Sequence, residues 1–239
     1  TYFLKSGSSS RTYQCEANGL KELAKANAIK VANVIAVDDC YILTEYIRQG
    51  RPGADFQKEF GRKFAQMHRF QGRLYGFYED NFIGTNPQLN LSDVKEQTNW
   101  VTFYYNKRLL YQYRLAERNG YASPTLRSGF LKLEYMIEAI LKDSVESPTL
   151  LHGDLWSGNY LCDLDGNPVL IDPAVYYGHR EADLAMTKVF GGFAPDFYAA
   201  YIEAYPLPEG WEYRENLYKL YHILNHLNLF GQSYLSEAA

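Results

Sequence analysis

The feature that most limits how this chain can fold is the spacing of three polar residues around a short hairpin signal. Asp154 and Asn159 lie in "LLHGDLWSGNYL", and Asp172 closes the stretch "NYLCDLDGNPVLID". An Asp-Gly pair between two apolar runs is a strong signal for a β-hairpin. Such a hairpin returns Asp172 to the loop that carries the other two residues, so the sequence predicts that the three side chains meet at one cavity.

The same spacing suits phosphoryl transfer. Protein kinases combine an H-x-D-x-x-x-x-N loop, a hairpin and a metal-binding Asp, because their reaction needs positioning and charge neutralisation more than covalent help. We therefore interpret Asp154 as the base that accepts the proton of the acceptor hydroxyl, and Asn159 and Asp172 as oxygen ligands of Mg²⁺. His152 is interpreted as a residue that orients the loop. The alternative is an Asp and an Asn that merely cap local turns.

Near the N-terminus, a carboxylate occupies a position where burial of a charge would be energetically costly. The pattern is helical from about residue 14 to residue 27, and Glu16 shares the apolar face of Leu20 and Leu23. A carboxylate that points into a core needs a partner, and Lys5 in the preceding strand is the nearest basic candidate. Kinases hold ATP phosphates with such a lysine and carboxylate pair. The alternative is a Glu16 side chain that reaches water from a short helix.

The first 49 residues are predicted to form a small strand-rich unit. Residues 2–5, "VIAV" and "YILTEYI" are strand candidates, and the last two form a hairpin. The break "RQGRPG" then ends this unit. In kinase-like folds the adenine lies against this connection, so Glu45 and Ile47 are the expected backbone contacts. We expect residues 1–49 to be a nucleotide-binding lobe.

Helical periodicity dominates the rest of the chain. Helices are expected in a Phe-rich segment beginning at Phe56, at 99–119, at 128–142, and from Glu181 onward, with one embedded hairpin. We expect residues 50–239 to be a lobe that carries the catalytic loop and the acceptor site. The predicted fold class is therefore α+β, a protein-kinase-like two-lobe fold with a small N-lobe and a larger, mainly helical C-lobe.

Composition excludes several classes of partner. The net charge of -4 and the absence of a Lys/Arg run argue against a nucleic-acid partner. No segment approaches the roughly 18 apolar residues of a membrane span, which predicts a protein without a membrane partner. Three cysteines without CxxC spacing suit reduced thiols in the cytoplasm. The oligomeric state is left open.

Longer blocks of sequence resemble a known family. In the aminoglycoside phosphotransferase and choline kinase group, "HGD" replaces the HRD of protein kinases, and this chain is most similar to the fructosamine kinase (ketosamine-3-kinase) family within it. The resemblance rests on "LLHGDLWSGN", "IDPAVYYGHREADLAM", "FGGF" and "LNHLNLFG", which cover most of residues 150–231. The stretches "FLK", "GTNPQLN" and "WVTFYYNKRL" extend it toward the N-terminus.

The resemblance implies an ATP- and Mg²⁺-dependent kinase that phosphorylates the 3-hydroxyl of fructosamine-type (ketosamine) adducts, which would repair glycated amines. It gives Asp154 the role of base, Asn159 and Asp172 those of magnesium ligands, and Lys5 and Glu16 that of the phosphate-holding pair. Trp156 and His226 are candidate walls of the acceptor pocket. The family has a phosphate-covering loop before the lysine strand, and the sequence begins within that strand, so the N-lobe is expected to be truncated.

Several other functions remain open at this point. One is a different small-molecule kinase of the same fold, although an aminoglycoside enzyme should carry a C-terminal acidic cluster that is absent here. Another is a nucleotide-binding pseudokinase module that acts by protein contact. A third is a metal hydrolase built on His152, Asp154 and Asp172. In "GHREADL", His179, Glu181 and Asp183 are expected to have a structural role at a helix start rather than to bind a metal.

Overall fold

The computed structural model describes residues 1–238, and its first part is a three-stranded antiparallel sheet with one helix. The elements of this part are β1 (Tyr2–Ser6), α1 (Thr12–Ala24), β2 (Lys30–Val31), β3 (Val34–Asp38) and β4 (Tyr41–Glu45). The sheet has the order β1-β4-β3, and Lys5 lies opposite Ile42 in its register. The predicted strand, helix and hairpin are confirmed.

Helix α1 packs through the face that the sequence pattern indicated. Ala17, Leu20 and Leu23 are at most 2% exposed on that face. The helix ends at Ala24, one turn before the predicted end, and Asn27 adopts a left-handed conformation with φ 49°. Asn tolerates this conformation better than most residues, so the chain can turn there.

The remainder of the chain is mainly helical. Its helices are α2 (Phe56–Met67), α3 (Val94–Thr98), α4 (Trp100–Tyr104), α5 (Tyr111–Arg118), α6 (Pro124–Leu141), α7 (Arg180–Val189), α8 (Pro195–Ala204), α9 (Trp211–Phe230) and α10 (Leu235–Ala238). Helix α2 buries Phe56, Phe60 and Phe64, as its spacing predicted. A Cβ at Gly61 would lie 2.1 Å from the carbonyl oxygen of Phe197, so this glycine lets α2 and α8 approach closely.

Two predicted helices differ in detail. The helix predicted at 99–119 is interrupted by a π-helical segment, Tyr105–Leu110, between α4 and α5. The helix predicted from residue 128 begins one turn earlier, at Pro124. There the hydroxyl of Ser123 accepts a hydrogen bond of 3.1 Å from the Leu126 N–H. A serine cap followed by proline is a common way to start a helix, and it went unused in the prediction.

Short strands complete the larger part. They are β5 (Asn81–Ile83), β6 (Asn86–Gln88), β7 (Thr149–Leu151), β8 (Tyr160–Cys162), β9 (Pro168–Leu170) and β10 (Tyr176–Gly178). The hairpin β8–β9 is confirmed, but the prediction of a single hairpin was wrong, because β5–β6 and the pair β7–β10 are also present. Three-residue strands are too short to show a two-residue periodicity.

Backbone hydrogen bonds between β2 and β9 help to join the two parts. Strand β2 pairs in parallel with β9, so that Lys30 lies opposite Val169 and Val31 opposite Leu170. Ala32, Ile47 and Val169 form a small buried cluster beside this pair. Sequence periodicity did not reveal β2. The combination of sheet and helices confirms the α+β class, and no helix within residues 1–238 has the length and apolarity that crossing a bilayer requires.

Candidate active site

The loop that follows β7 can form only because residue 153 is glycine. Gly153 has φ +83°, and a Cβ there would lie 1.9 Å from the carbonyl oxygen of Ala174. A side chain would therefore meet both a left-handed backbone and a fixed carbonyl group. This gives a physical reason for glycine in "HGD", at the position where the HRD motif of protein kinases carries a larger residue.

A buried carboxylate holds the start of this loop. Asp183 on α7 accepts hydrogen bonds from the N–H groups of His152, at 2.7 Å, and Gly153, at 2.8 Å. His68 Nε2 lies 3.2 Å from the same carboxylate, and the Tyr201 hydroxyl lies 2.7 Å from His68 Nδ1. Burial would raise the pKa of Asp183, but these donors outweigh it and the pKa is lowered. We call His68, Asp183 and Tyr201 the loop anchor.

His152 orients the loop, as its interpretation required. Its Nδ1 accepts a hydrogen bond of 3.3 Å from the Asp154 N–H, and its Nε2 lies 3.0 Å from the carbonyl oxygen of Ile171. The bond to a carbonyl requires the proton on Nε2, so the ring is neutral. Burial lowers the pKa of His152, which keeps it in that state.

Asp154 and Asn159 are in direct contact. The amide Nδ2 of Asn159 donates to the Asp154 carbonyl oxygen at 2.8 Å, to its Oδ2 at 3.2 Å and to the Asp172 carbonyl oxygen at 3.4 Å. Burial raises the pKa of Asp154 to about 8. The bond from Asn159 opposes that shift, and the charges of Asp183 and Asp172 add to it. A carboxyl group tuned toward neutral pH beside a cavity is typical of a functional site.

Lys5 joins two carboxylates from distant parts of the chain. Its Nζ lies 2.8 Å from Glu16 Oε2 and 3.0 Å from Asp172 Oδ1, a residue 167 positions away. Burial raises the pKa of Glu16 to about 7, while Lys5 opposes that shift. Burial would also raise the pKa of Asp172, but the charge of Lys5 lowers it. Asp172 has φ 50°, a left-handed conformation that is uncommon outside glycine.

The Lys5, Glu16 and Asp172 cluster lies where two cavities meet. One cavity, of about 480 Å³, is also bordered by Asp154, Asn159, Trp156 and His226. The other, of about 350 Å³, is bordered by the cluster together with Glu45 and Ile47. The structure thus brings the residues singled out from the sequence together in one two-sided site. The sequence predicted an acceptor site beside Asp154 and a nucleotide site beside Glu45 and Ile47. After these predictions, we call the larger space the acceptor cavity and the smaller one the nucleotide cavity.

Trp156 and His226 form an aromatic side of the acceptor cavity. Trp156 is 38% exposed and meets the Phe190 ring edge-on, with 6.2 Å between centroids. His226 lies 4.5 Å from the same ring, again between centroids. A Cβ at Gly158 would lie 2.4 Å from the indole of Trp156, so this glycine makes room for the ring.

The oxygen atoms at the cluster suit a hard divalent cation. Because Nδ2 of Asn159 donates to three acceptors, its Oδ1 is turned away from them, and no donor within residues 1–238 bonds that oxygen. It shares the acceptor cavity with the Asp172 carboxylate. One amide oxygen and one carboxylate fit Mg²⁺, which keeps several of its waters. No cluster of three or more His, Cys, Asp or Glu residues suited to a metal ion occurs in the described chain.

The "GHREADL" stretch has structural contacts. His179 accepts a hydrogen bond of 3.2 Å from the Glu181 N–H at the start of α7, and its Nε2 lies 2.6 Å from the Ser144 carbonyl oxygen. Glu181 forms two bonds to Arg214, at 2.7 and 2.8 Å. With Asp183 in the loop anchor, each of the three side chains has its hydrogen-bonding partners within the fold.

Sequence reasoning missed His68 in the loop anchor, Gly153 at the turn, and Asn225, a buried residue that also lines the acceptor cavity. His68 follows Phe64 by four positions, so it continues the apolar face of α2, and Asn225 likewise follows Tyr221 on α9. A polar residue on an apolar helix face was the usable signal in both cases.

Comparison with known proteins places this arrangement first in a class and then in a family. The fold matches the crystal structure of an ADP-bound aminoglycoside phosphotransferase with a TM-score of 0.63 at 13% identity, over 99% of this chain and 85% of that one. The kinase-like fold class is thereby confirmed. The family model for fructosamine kinase matches residues 1–239. The chain belongs to the fructosamine kinase family.

Individual relatives agree with this assignment. A "Probable ketoamine kinase" of Enterococcus faecium is 37% identical over 94% of this chain and 79% of its own length. A chloroplastic protein-ribulosamine 3-kinase of Oryza sativa subsp. indica is 40% identical over 95% of this chain and 66% of its own length. The crystal structure of a candidate fructosamine-3-kinase from Thermobifida fusca has a TM-score of 0.90 at 32% identity, over 99% of this chain and 84% of that one.

Proposed function

We propose that this protein transfers the γ-phosphate of ATP to a sugar hydroxyl, namely the 3-hydroxyl of a fructosamine or ribulosamine adduct. The observation that carries the proposal is the junction at Lys5, Glu16 and Asp172, which borders one cavity with Asp154 and another with Glu45 and Ile47. A transfer between two substrates requires two spaces that meet at the transferred group.

The roles of the residues follow from their positions. ATP occupies the nucleotide cavity, with its adenine beside the backbone of Glu45 and Ile47. Lys5, held by Glu16, binds the phosphates by charge. Asp154 takes the proton of the acceptor hydroxyl as the oxygen forms its bond to phosphorus and the bond to the leaving ADP oxygen breaks.

Asn159 and Asp172 would hold Mg²⁺ through their oxygen atoms. A cation bound there neutralises negative charge on the phosphates. Lys5 already lies at Asp172, so the carboxylate is kept ionised and is positioned before any ligand arrives. The loop anchor holds the backbone from which Asp154 projects.

The class of acceptor comes from the relatives named as ketoamine and protein-ribulosamine kinases. Trp156 and His226 would line the acceptor, since both border the same cavity as Asp154. The chain spans 66% of the rice relative, so the activity of the whole protein is part of this proposal. We also propose that residues 1–49 act as the nucleotide lobe and 50–239 as the acceptor lobe, and that the enzyme repairs glycated amines in the cytoplasm.

The test is ATP consumption with a ribulosamine and a fructosamine as acceptors. Asp154→Ala should lower kcat by roughly 10²- to 10⁴-fold, the range for loss of a general base. Asp165→Ala is the matched control, because Asp165 lies in the exposed turn of β8–β9. Equal rates for wild type and Asp154→Ala would refute the proposed role of Asp154. Stabilisation by Mg-ATP without turnover on any acceptor would instead favour a nucleotide-binding module.

A further inference from the structure

One face of α9 borders the acceptor cavity. Asn225, His226, Leu229 and Phe230 line it, at the spacing i, i+1, i+4 and i+5 that places residues on one side of a helix. The β5–β6 hairpin lies against this face, because the Leu229 side chain would be only 2.9 Å from a Cβ at Gly84. Asn225 is 1% exposed, so it belongs to the inner part of this wall.

The amide of Asn225 has a fixed orientation. Its Oδ1 accepts a hydrogen bond of 2.9 Å from Asn86 on β6 and another of 3.1 Å from Gln112 on α5. Gln112 is itself fixed, because its Oε1 accepts a bond of 2.8 Å from Asn228. Turning the Asn225 amide over would set its NH₂ group against two other donors. The oxygen therefore faces the amides, and the nitrogen faces another way.

Four buried side-chain atoms within residues 1–238 lack a hydrogen-bond partner: Ser92 Oγ, Arg108 Nε, His222 Nδ1 and Asn225 Nδ2. Of these four residues, Asn225 is the one that lines the acceptor cavity. Nδ2 of Asn225 is buried and has no hydrogen-bond partner within residues 1–238. The Asn81 amide, which lines the same cavity, is paired: it donates to the Val175 carbonyl oxygen at 2.7 Å and accepts a bond of 2.9 Å from Gln88. Because buried donors in native proteins are nearly always paired, an unpaired one beside a cavity points to a ligand atom.

We propose that Nδ2 of Asn225 donates a hydrogen bond to a sugar oxygen of the acceptor, either a hydroxyl or the keto oxygen, other than the hydroxyl that receives the phosphate. This inference rests on the proposed function and makes Asn225 a residue that determines acceptor specificity. The bound atom must be a hydrogen-bond acceptor, since an amide NH₂ cannot pair with a protonated amine.

The same donor also orients the acceptor. The protonated amine of a ketosamine is directed away from Asn225 and toward the aromatic residues Trp156 and Phe230, which line the cavity and are 38% and 65% exposed. Aromatic faces attract cations. The sugar chain then lies along α9, and the group attached to the amine extends toward solvent. An analogue without this oxygen would leave the buried donor unpaired, so the site discriminates against that analogue.

The test compares variants on one ketosamine and on its single-deoxy analogues. Asn225→Asp keeps an oxygen for Asn86 and Gln112 and replaces the donor by a second oxygen. We expect wild type to lose roughly 3- to 15-fold in kcat/KM when one particular oxygen is removed, the range for one neutral hydrogen bond. Asn225→Asp should lose at least as much on the parent ketosamine, lose nothing further on that analogue, and keep the KM for ATP.

Asn86→Ala is the matched control. It removes one of the two bonds to Asn225 Oδ1 and leaves the Nδ2 donor in place, so it should keep the wild-type discrimination between analogues. The inference is overturned if Asn225→Asp discriminates as wild type does, or if wild type tolerates the loss of every oxygen other than the phosphorylated one. A wild type without turnover on any ketosamine would refute the proposed function instead, so the two failures are distinguishable.

Discussion

Two carboxylates on either side of the loop that carries Asp154 have opposite surroundings. Asp183, in the loop anchor, has a side chain that is 1% exposed, with two backbone N–H groups and His68 as partners. Asp172, in the lysine cluster, has a side chain that is 46% exposed, and its carboxylate bonds Lys5. Asp183 is saturated by the protein, whereas Asp172 can still accept ligands.

The difference shows how a site can combine a fixed backbone with side-chain atoms that are still able to bind a ligand. Buried charges remain only where their partners are complete, so the anchor fixes the backbone before a substrate arrives. The charges that would meet the substrate are partly solvated and held by a single lysine. Perturbing the anchor should therefore change stability, and perturbing the cluster should change activity.

The largest effect is expected at the anchor. Asp183→Ala leaves the N–H groups of His152 and Gly153 and the His68 ring without their acceptor, and should lower the free energy of unfolding by about 3–5 kcal/mol. Urea-induced unfolding of wild type and variant measures this difference in the free energy of unfolding. Asp172→Ala is the matched substitution, and its effect should stay within about 1 kcal/mol because the site is exposed. Similar losses of unfolding free energy in the two variants would contradict the different surroundings of Asp183 and Asp172.

A smaller loss is expected from the glycine that lets the loop turn. Gly153→Ala forces a Cβ to within 1.9 Å of the Ala174 carbonyl oxygen at φ +83°. The backbone must shift, which should cost about 1–3 kcal/mol in stability and lower kcat through displacement of Asp154. Gly166→Ala is the control, since its φ is also positive but no atom lies within 4 Å of the added Cβ. Equal kcat values in both variants would argue against a tight loop.

Acidification should also lower the free energy of unfolding, because several histidines are buried in their neutral form. The loss per histidine should not exceed that expected for Gly153→Ala. Burial lowers the pKa of His68, His152, His179 and His222, the last to about 3. Below the unfolded pKa of about 6.5, the unfolded chain binds more protons, so stability falls as pH decreases toward the folded pKa values. His222 should contribute about 1 kcal/mol of loss in the free energy of unfolding between pH 7.5 and 5.5, and the other three histidines should add losses of the same sign. If the free energy of unfolding did not change between pH 7.5 and 5.5, the buried histidine rings would not be neutral in the folded protein.

The smallest change in stability is expected at the cluster. Lys5→Met removes ion pairs whose lysine side chain is 42% exposed, so the free energy of unfolding should change by less than about 1 kcal/mol. The KM for ATP should rise and kcat should fall, because the phosphates lose their positive partner. Lys25→Met is the control for loss of charge, because it breaks a comparable pair between a lysine side chain that is 58% exposed and a Glu22 side chain that is 9% exposed. Unchanged kinetics in Lys5→Met would remove the cluster from the proposed site.

Spacing in the sequence was sufficient to predict how Asp154, Asn159 and Asp172 are arranged, since a hairpin with a recognisable turn connects them. The Lys5 and Glu16 contact was also predictable, because a carboxylate on an apolar helix face requires a partner. The loop anchor was not, since its members come from the residue that follows α2 and from α7 and α8, and no local pattern reports contacts between distant helices. The strands β2, β7 and β10 were missed because they are set by pairing between distant segments rather than by their own composition, and β5 and β6 because three residues are too few to show a strand pattern.

The parallel pair β2–β9 has a consequence for how the protein is made. Lys30 and Val31 leave the ribosome long before Val169 and Leu170, so the early segment has no partner until most of the chain has been synthesised. Contacts between distant positions also slow folding, because the chain between them must be closed first. The nucleotide cavity, bordered by Ala32 beside this pair and by Ile171 just after β9, is therefore completed late in biogenesis.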